Sequence, residues 1–86
     1  MPFIRIAPQV VESDAGFRIS VLDRHRVEYR DAEGTATAEV EFGGTVSIYA
    51  DSIATFRTES AIGAEDILAR MAAGIEAMDA VVEIVR

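Results

Sequence analysis

The feature that most constrains this chain is a change in the spacing of its apolar residues near Gly63. From Phe17 to Phe56 apolar and polar residues mostly alternate, which is the pattern of strands with one buried face. Beyond Gly63 the apolar residues take helical spacing, at Ile67, Leu68, Met71, Ile75 and Met78. A short apolar stretch then closes the sequence. The pattern predicts an α+β fold with one helix in the C-terminal half and a final short strand.

Before the helix we expect a mostly antiparallel meander of five to six short strands. Phe3 to Ile6 is expected to be an edge strand, because Pro2 and Pro8 bracket it and proline has no N–H to donate. Residues with turn chemistry separate the later segments, at 13–16, 23–25, 31–34, 43–44 and 51–52. Gly34 is expected to adopt a left-handed conformation. The last segment before the helix, Ile53 to Arg57, is a further strand candidate.

The helix is predicted from Ala64 to about Asp79, with Glu65 and Asp66 in its first turn near the positive end of the helix dipole. Ser60 or Gly63 would be its N-cap. A glycine inside a helix costs about 0.5 to 1 kcal/mol relative to alanine, so Gly74 indicates a close approach of helix to sheet. The closing strand is apolar on both faces, which is typical of a covered or interface position: Val81, Val82, Ile84 and Val85.

With 86 residues the chain has room for a single domain spanning 1–86. Five strands form a sheet on the order of 24 Å wide, whereas one helix with its side chains is about 10 to 12 Å across. One helix cannot cover the whole of such a sheet. The uncovered apolar area must either curl on itself or be buried by another protein, and we therefore predict a homodimer or a binding surface on the sheet.

The chain has no cysteine and a net charge of −7, which is unevenly distributed. Residues 1–30 carry net +1 and residues 31–86 carry net −8. This balance disfavours nucleic-acid binding, since affinity for phosphates comes from Lys and Arg. The acidic part either confers solubility or forms a face for a basic partner. The longest uncharged stretch, Phe42 to Ala50, is too short for a membrane span, and no signal-peptide layout is present, so the expected location is cytoplasmic.

No residue set in the sequence calls for a cofactor, a metal ion or a catalytic role. His25 is either a general base oriented by Asp23 or an exposed turn residue. Glu39 and Glu41 share one strand face, as a catalytic pair or as a solvated face. None of the serines lies in a G-x-S-x-G context: Ser20, Ser47, Ser52 and Ser60. Four arginines could meet an anion or pair internally across the hairpin: Arg18, Arg24, Arg26 and Arg30.

The segment Tyr49-Ala50-Asp51-Ser52-Ile53-Ala54-Thr55-Phe56 follows a strand, and Val27-Glu28-Tyr29 ends an earlier one. With Ile67-Leu68 in the helix and a final strand, these motifs span about Ile19 to Val85. In them the chain resembles the bacterial immunity proteins of polymorphic toxin systems, specifically family seventy-four. The resemblance implies a non-enzymatic protein that binds and neutralises a cognate toxin.

Two hypotheses of function follow. In the first, an acidic surface docks on a basic protein such as a nuclease toxin, and its residues are Glu39, Glu41, Asp51, Glu59, Glu65 and Asp66. In the second, the protein is a small homo-oligomeric ligand-binding domain or enzyme with a site at a subunit junction, built from His25 or the pair Glu39 and Glu41. A structural or regulatory dimer without a toxin is the third alternative.

Overall fold

The computed structural model describes residues 3–57 and 62–86, which contain eight strands, one α-helix and a 3-10 helix at Ala50–Ser52. The strands are β1 (Phe3–Ala7), β2 (Val10–Ser13), β3 (Arg18–Asp23), β4 (Arg26–Asp31), β5 (Gly34–Glu41), β6 (Val46–Tyr49), β7 (Ala54–Arg57) and β8 (Val82–Val85). The helix α1 runs over Ala64–Glu76. The chain therefore has the α+β fold that the change of spacing predicts.

Strands β1 to β6 pair in chain order, each antiparallel to the next, and form the predicted meander. The proline-bracketed β1 is an edge strand, as expected. Two pairings depart from chain order. Strand β7 pairs with β5 over Gly34–Thr37, and β8 lies parallel to β6 at the other edge of the sheet. The parallel pairing is possible because α1 supplies the crossover before β8.

The sheet curls around α1, which contacts β2, β3 and β4 and also β8 at the far edge. Alternate residues of the strands point inward and are buried against the helix in one hydrophobic cluster. From the sheet the cluster includes Val11, Phe17, Ile19, Val27, Tyr29, Ala36, Ala38, Val40, Val46 and Ile48, and from the helix Ile67, Leu68, Met71 and Ile75. The width of the sheet left two alternatives, curling of the sheet or burial of its apolar face by another protein. The sheet curls, so its inner face needs no second subunit to cover it.

Gly74 packs directly on the sheet, as predicted. A Cβ atom at this position would lie 2.5 Å from Cγ1 and 2.7 Å from Cβ of Ile19 on β3. Real Cβ atoms do not approach other atoms so closely. The helix can therefore lie against β3 at this distance only because residue 74 has no side chain.

The helix begins as predicted, with Gly63 as its N-cap and without a side-chain capping bond, while Ser60 lies outside the described residues. It ends three residues earlier than predicted, because the chain turns away through Asp79, whose φ is 66°.

Gly34 has the positive φ expected of it, at 139°. In β8, Val82 and Ile84 are half-buried in register with Val46 and Ile48. On the opposite face Val85 is half-buried and Glu83 is exposed, so neither face of this strand is fully covered.

Candidate protein-binding site

The outer face of the sheet is the face that α1 does not cover. On β5 the residues that alternate with the buried alanines and Val40 point outward: Thr35, Thr37, Glu39 and Glu41. Glu39 and Glu41 are both exposed. The alternation of buried and exposed residues in β5 thus places two carboxylates on one strand face, as the spacing predicts.

Strands β6 and β8 extend this acidic region. Ser47 of β6 is in register with Glu41 of β5 on one side and with Glu83 of β8 on the other. Two residues along β6, the Tyr49 hydroxyl donates a hydrogen bond of 2.9 Å to Oε2 of Glu41. We call Glu39, Glu41, Glu83 and Tyr49 the Tyr49 patch.

The electrostatics of the patch are visible in the pKa of Tyr49, which is raised above its ordinary value of 10.0. The first cause is the hydrogen bond to Glu41, which stabilises the protonated hydroxyl, followed by partial desolvation. The negative charges of Glu41, Glu39 and Glu83 contribute as well. The three carboxylates therefore all raise the pKa of the same hydroxyl group.

The other half of the outer face carries arginines, and two of them pair with acids. Arg18 of β3 bonds Glu12 of β2 at 2.8 Å, and Arg30 lies 3.6 Å from Glu28 on the same strand. Both pairs are internal, but neither crosses the hairpin of β3 and β4 as the sequence predicts, because Glu12 lies on β2 and Glu28 lies on the same strand as Arg30. Arg26 is in register with Glu39, but within residues 3–57 and 62–86 it forms no ion pair.

The remaining acids predicted for the surface lie at different places. Asp51 is exposed in the 3-10 helix that follows Tyr49. Glu65 and Asp66 are exposed in the first turn of α1, and Glu65 accepts a hydrogen bond of 2.6 Å from Arg86. That bond lowers the pKa of Glu65. Glu59 lies outside the described residues.

Sequence reasoning did not include Glu83 or Tyr49 among the binding residues. The alternation Val82-Glu83-Ile84 indicates that Glu83 faces away from the core. Its position beside Glu41, however, depends on the parallel pairing of β8 with β6, for which the sequence has no local signal.

His25 lies exposed in the turn between β3 and β4. Asp23 accepts the backbone N–H of His25 at 2.7 Å, so its carboxylate stabilises the turn. The carbonyl of His25 accepts the N–H of Val40 at 2.9 Å. In the described part of the chain, the imidazole itself forms no hydrogen bond. Of the two alternatives for His25, a general base or an exposed turn residue, this geometry matches the turn residue.

A polar network that the sequence did not indicate connects α1 to β4. Arg70 donates to the Tyr29 hydroxyl at 2.8 Å, and that hydroxyl donates to Asp31 at 2.7 Å. The Arg70 guanidinium also lies over the Phe17 ring, 4.7 Å from its centroid. Burial, and then the bond to Asp31, raise the pKa of Tyr29. We interpret the network as a connection between helix and sheet, because the hydroxyl is bonded on both sides.

No group of three or more His, Cys, Asp or Glu side chains is placed to hold a metal ion within residues 3–57 and 62–86. No helix in the same residues has the length and apolar character to cross a membrane.

Known proteins provide no assignment of family or function for this chain. No family model, no curated protein and no solved structure matches this chain. The similarity to immunity proteins described above therefore stays a prediction.

Proposed function

We propose that this protein is a non-enzymatic protein-binding module that docks on a basic protein through the outer face of its sheet. The observation that carries the proposal is the Tyr49 patch, in which Glu39, Glu41 and Glu83 surround one tyrosine on a face without a covering helix.

The chemistry of the patch suits recognition of a basic surface. Three exposed carboxylates on neighbouring strands produce a local negative potential, which attracts a positively charged partner and accelerates encounter. Tyr49 adds a half-buried aromatic side chain with a hydroxyl, the kind of residue that often dominates binding energy in interfaces. The charges of the patch would thus govern the association rate, whereas Tyr49 would govern the lifetime of the complex.

The resemblance to immunity proteins suggests which partner to test first. We propose a cognate bacterial toxin with a basic surface, such as a nuclease, as the partner that the protein neutralises. Asp51, next to the patch along the chain, would extend the same acidic surface. We also propose that the protein is a homodimer, which would enlarge the surface available to a partner.

The experiment compares two variants of equal charge. Glu41→Gln/Glu83→Gln removes two charges from the patch and keeps an acceptor for Tyr49. Asp14→Asn/Glu76→Gln removes two exposed charges elsewhere. Each is co-expressed with the product of the neighbouring gene, and the association rate of the purified pair is measured at low and high salt.

We expect the patch variant to associate about tenfold more slowly at low salt and to lose most of its salt dependence, because steering charges act on the rate of encounter. The Asp14 and Glu76 control should behave like the wild type. Absence of a complex and of protection from the toxin would refute the toxin as partner. Equal rates for both variants would refute the patch as the binding site.

A further inference from the structure

Among the described residues, four of the five large apolar side chains that remain exposed lie at one end of the sheet. The five are Ile4, Ile6, Leu22, Phe42 and Val81, with exposed fractions of 70, 49, 50, 44 and 67%. Strands β1, β3 and β5 end near Ile6, Leu22 and Phe42, while β8 begins after Val81. The alternating pairing places Ile6, Leu22, Phe42 and Val81 at the same end of the sheet, which we call the open end, whereas Ile4 lies further along β1.

A groove of about 420 Å³ enters the open end between the sheet and the C-terminal part of α1. Its larger apolar lining residues are Val21, Phe42, Val46, Ile75, Met78 and Val81, and Pro8 and Ala80 also contribute. Val46 and Ile75 belong to the buried core, so the groove reaches the core from outside. Ile6 and Leu22 belong to the same end but do not line the groove, so an occupant of the groove alone would leave them exposed.

The charges in the groove indicate the partner. Arg5 and Asp79 both line it, with opposite charge. Neither forms an ion pair with any residue in 3–57 or 62–86. In a contact with two-fold symmetry each surface meets its own copy, so a surface with one free cation and one free anion can be complementary to itself.

We infer that the open end is the homodimer interface, where Phe42 and Val81 of each copy pack against the groove of the other. Arg5 of each copy pairs with Asp79 of the second copy, and this contact occurs twice. The inference rests on the homodimer part of the proposed function and is independent of the Tyr49 patch. It also accounts for the exposed apolar surface that the curled sheet leaves uncovered.

The first test measures the dimer by sedimentation velocity over a range of protein concentrations. Phe42→Ser removes an apolar contact at the open end, and Ile4→Ser is the matched control at the most exposed of these five apolar residues, which does not line the groove. We expect Phe42→Ser to raise the dissociation constant about tenfold or more, and Ile4→Ser to leave it unchanged. A wild-type protein that stays monomeric at every concentration overturns the inference, as does a dimer that Phe42→Ser does not weaken.

The second test identifies the ion pair by rescue. Arg5→Glu sets two acids against each other in each symmetric contact and should dissociate the dimer. Adding Asp79→Asn removes that repulsion, and asparagine tolerates the positive φ of this position, so the double variant should recover most of the wild-type affinity. Failure of the second substitution to restore affinity overturns the pairing.

The two proposals fail separately. Glu41→Gln/Glu83→Gln should dimerise like the wild type, because neither residue lines the groove. If no toxin binds, these sedimentation results still decide whether the open end is an interface. If the protein proves monomeric, the salt dependence of partner binding still tests the Tyr49 patch.

Discussion

Gly74 illustrates how one residue sets the distance between two elements. Its position inside α1 is unfavourable for the helix itself, by about 0.5 to 1 kcal/mol relative to alanine. The unfavourable term is offset because the missing side chain lets the helix contact Ile19, one of the most buried residues of the sheet.

We expect Gly74→Ala to destabilise the protein by about 1 kcal/mol or more in urea denaturation. The gain in helix propensity is smaller than the cost of overpacking, which is typically about 1 to 3 kcal/mol. Gly44→Ala is the control, because a Cβ atom there meets nothing within 4 Å. A Gly74→Ala protein at least as stable as the wild type would contradict the packing role of this glycine.

The sequence predicts the structural role of some single residues and not of others. A glycine inside a helical pattern needs a reason, and close packing is the common one, so Gly74 was predictable. Glu39 and Glu41 were predictable as a pair because strand alternation is a local property. The Tyr49 patch was not, because Glu83 is more than forty residues from Glu39 in the chain, and only the pairing of β6 with β8 brings them together.

Strand β5 pairs with three other strands. Along one edge it pairs with β4, and along the opposite edge it pairs with both β6 and β7. Residues Gly34–Thr37 pair with β7, and Val40 and Glu41 pair with β6. Between them the N–H of Glu39 donates to the Ser52 hydroxyl at 2.7 Å, which donates in turn to the Tyr49 carbonyl at 2.6 Å. Ser52 thus bridges the gap between the two ladders and has a structural role.

We expect Ser52→Ala to destabilise the protein by about 1 kcal/mol, since it removes the partner of a strand N–H. Hydrogen exchange should accelerate at the Glu39 amide and at neighbouring amides of β6 and β7. Ser47→Ala removes a hydroxyl from the middle of β6 that has no bond to lose within the described residues. Equal exchange rates in the two variants would show that Ser52 is not the bridge.

The elements themselves follow from the sequence better than their pairing does. Alternation and turn residues located the strands, and helical spacing located α1 to within a few residues at its C-terminal end. The return of β7 to β5 and the parallel position of β8 depend on which edges remain free after the meander has formed. Those choices are made by long-range contacts, for which local patterns carry no information.

For the molecule as a whole, curling of the sheet around α1 is the decisive event. It buries the apolar faces of β2 to β6 in a single cluster and leaves the charged face outside. Both tyrosines are affected, because Tyr29 is enclosed in the core with its hydroxyl bonded to Asp31 and Tyr49 lies among the outer carboxylates.

We expect the free energy of unfolding to fall as the pH rises above 10. Both tyrosines have a pKa raised above 10.0 in the folded protein, so the folded state retains protons that the unfolded state releases. Below pH 10 both states are protonated at these groups, and the tyrosines add no pH dependence. Urea denaturation at a series of alkaline pH values measures the slope.

Tyr29→Phe and Tyr49→Phe each remove one ionisation and should each make this alkaline slope shallower, whatever they do to stability at neutral pH. Glu41→Gln should bring the ionisation of Tyr49 to lower pH in a spectrophotometric titration, since the bond to a carboxylate is the first cause of its shift. An unchanged slope in both tyrosine variants would contradict the linkage.

The sequence by itself determined the α+β class, the meander, the edge position of β1 and the close packing at Gly74, because these follow from the local alternation of side chains and from the geometry of proline and glycine. Only the tertiary structure decided how the sheet meets the helix. Curling, rather than a second subunit, covers the inner face, because strands at both sides of the sheet reach α1. The same curling brings the Tyr49 patch together and leaves the open end uncovered, since both depend on contacts between residues far apart in the chain.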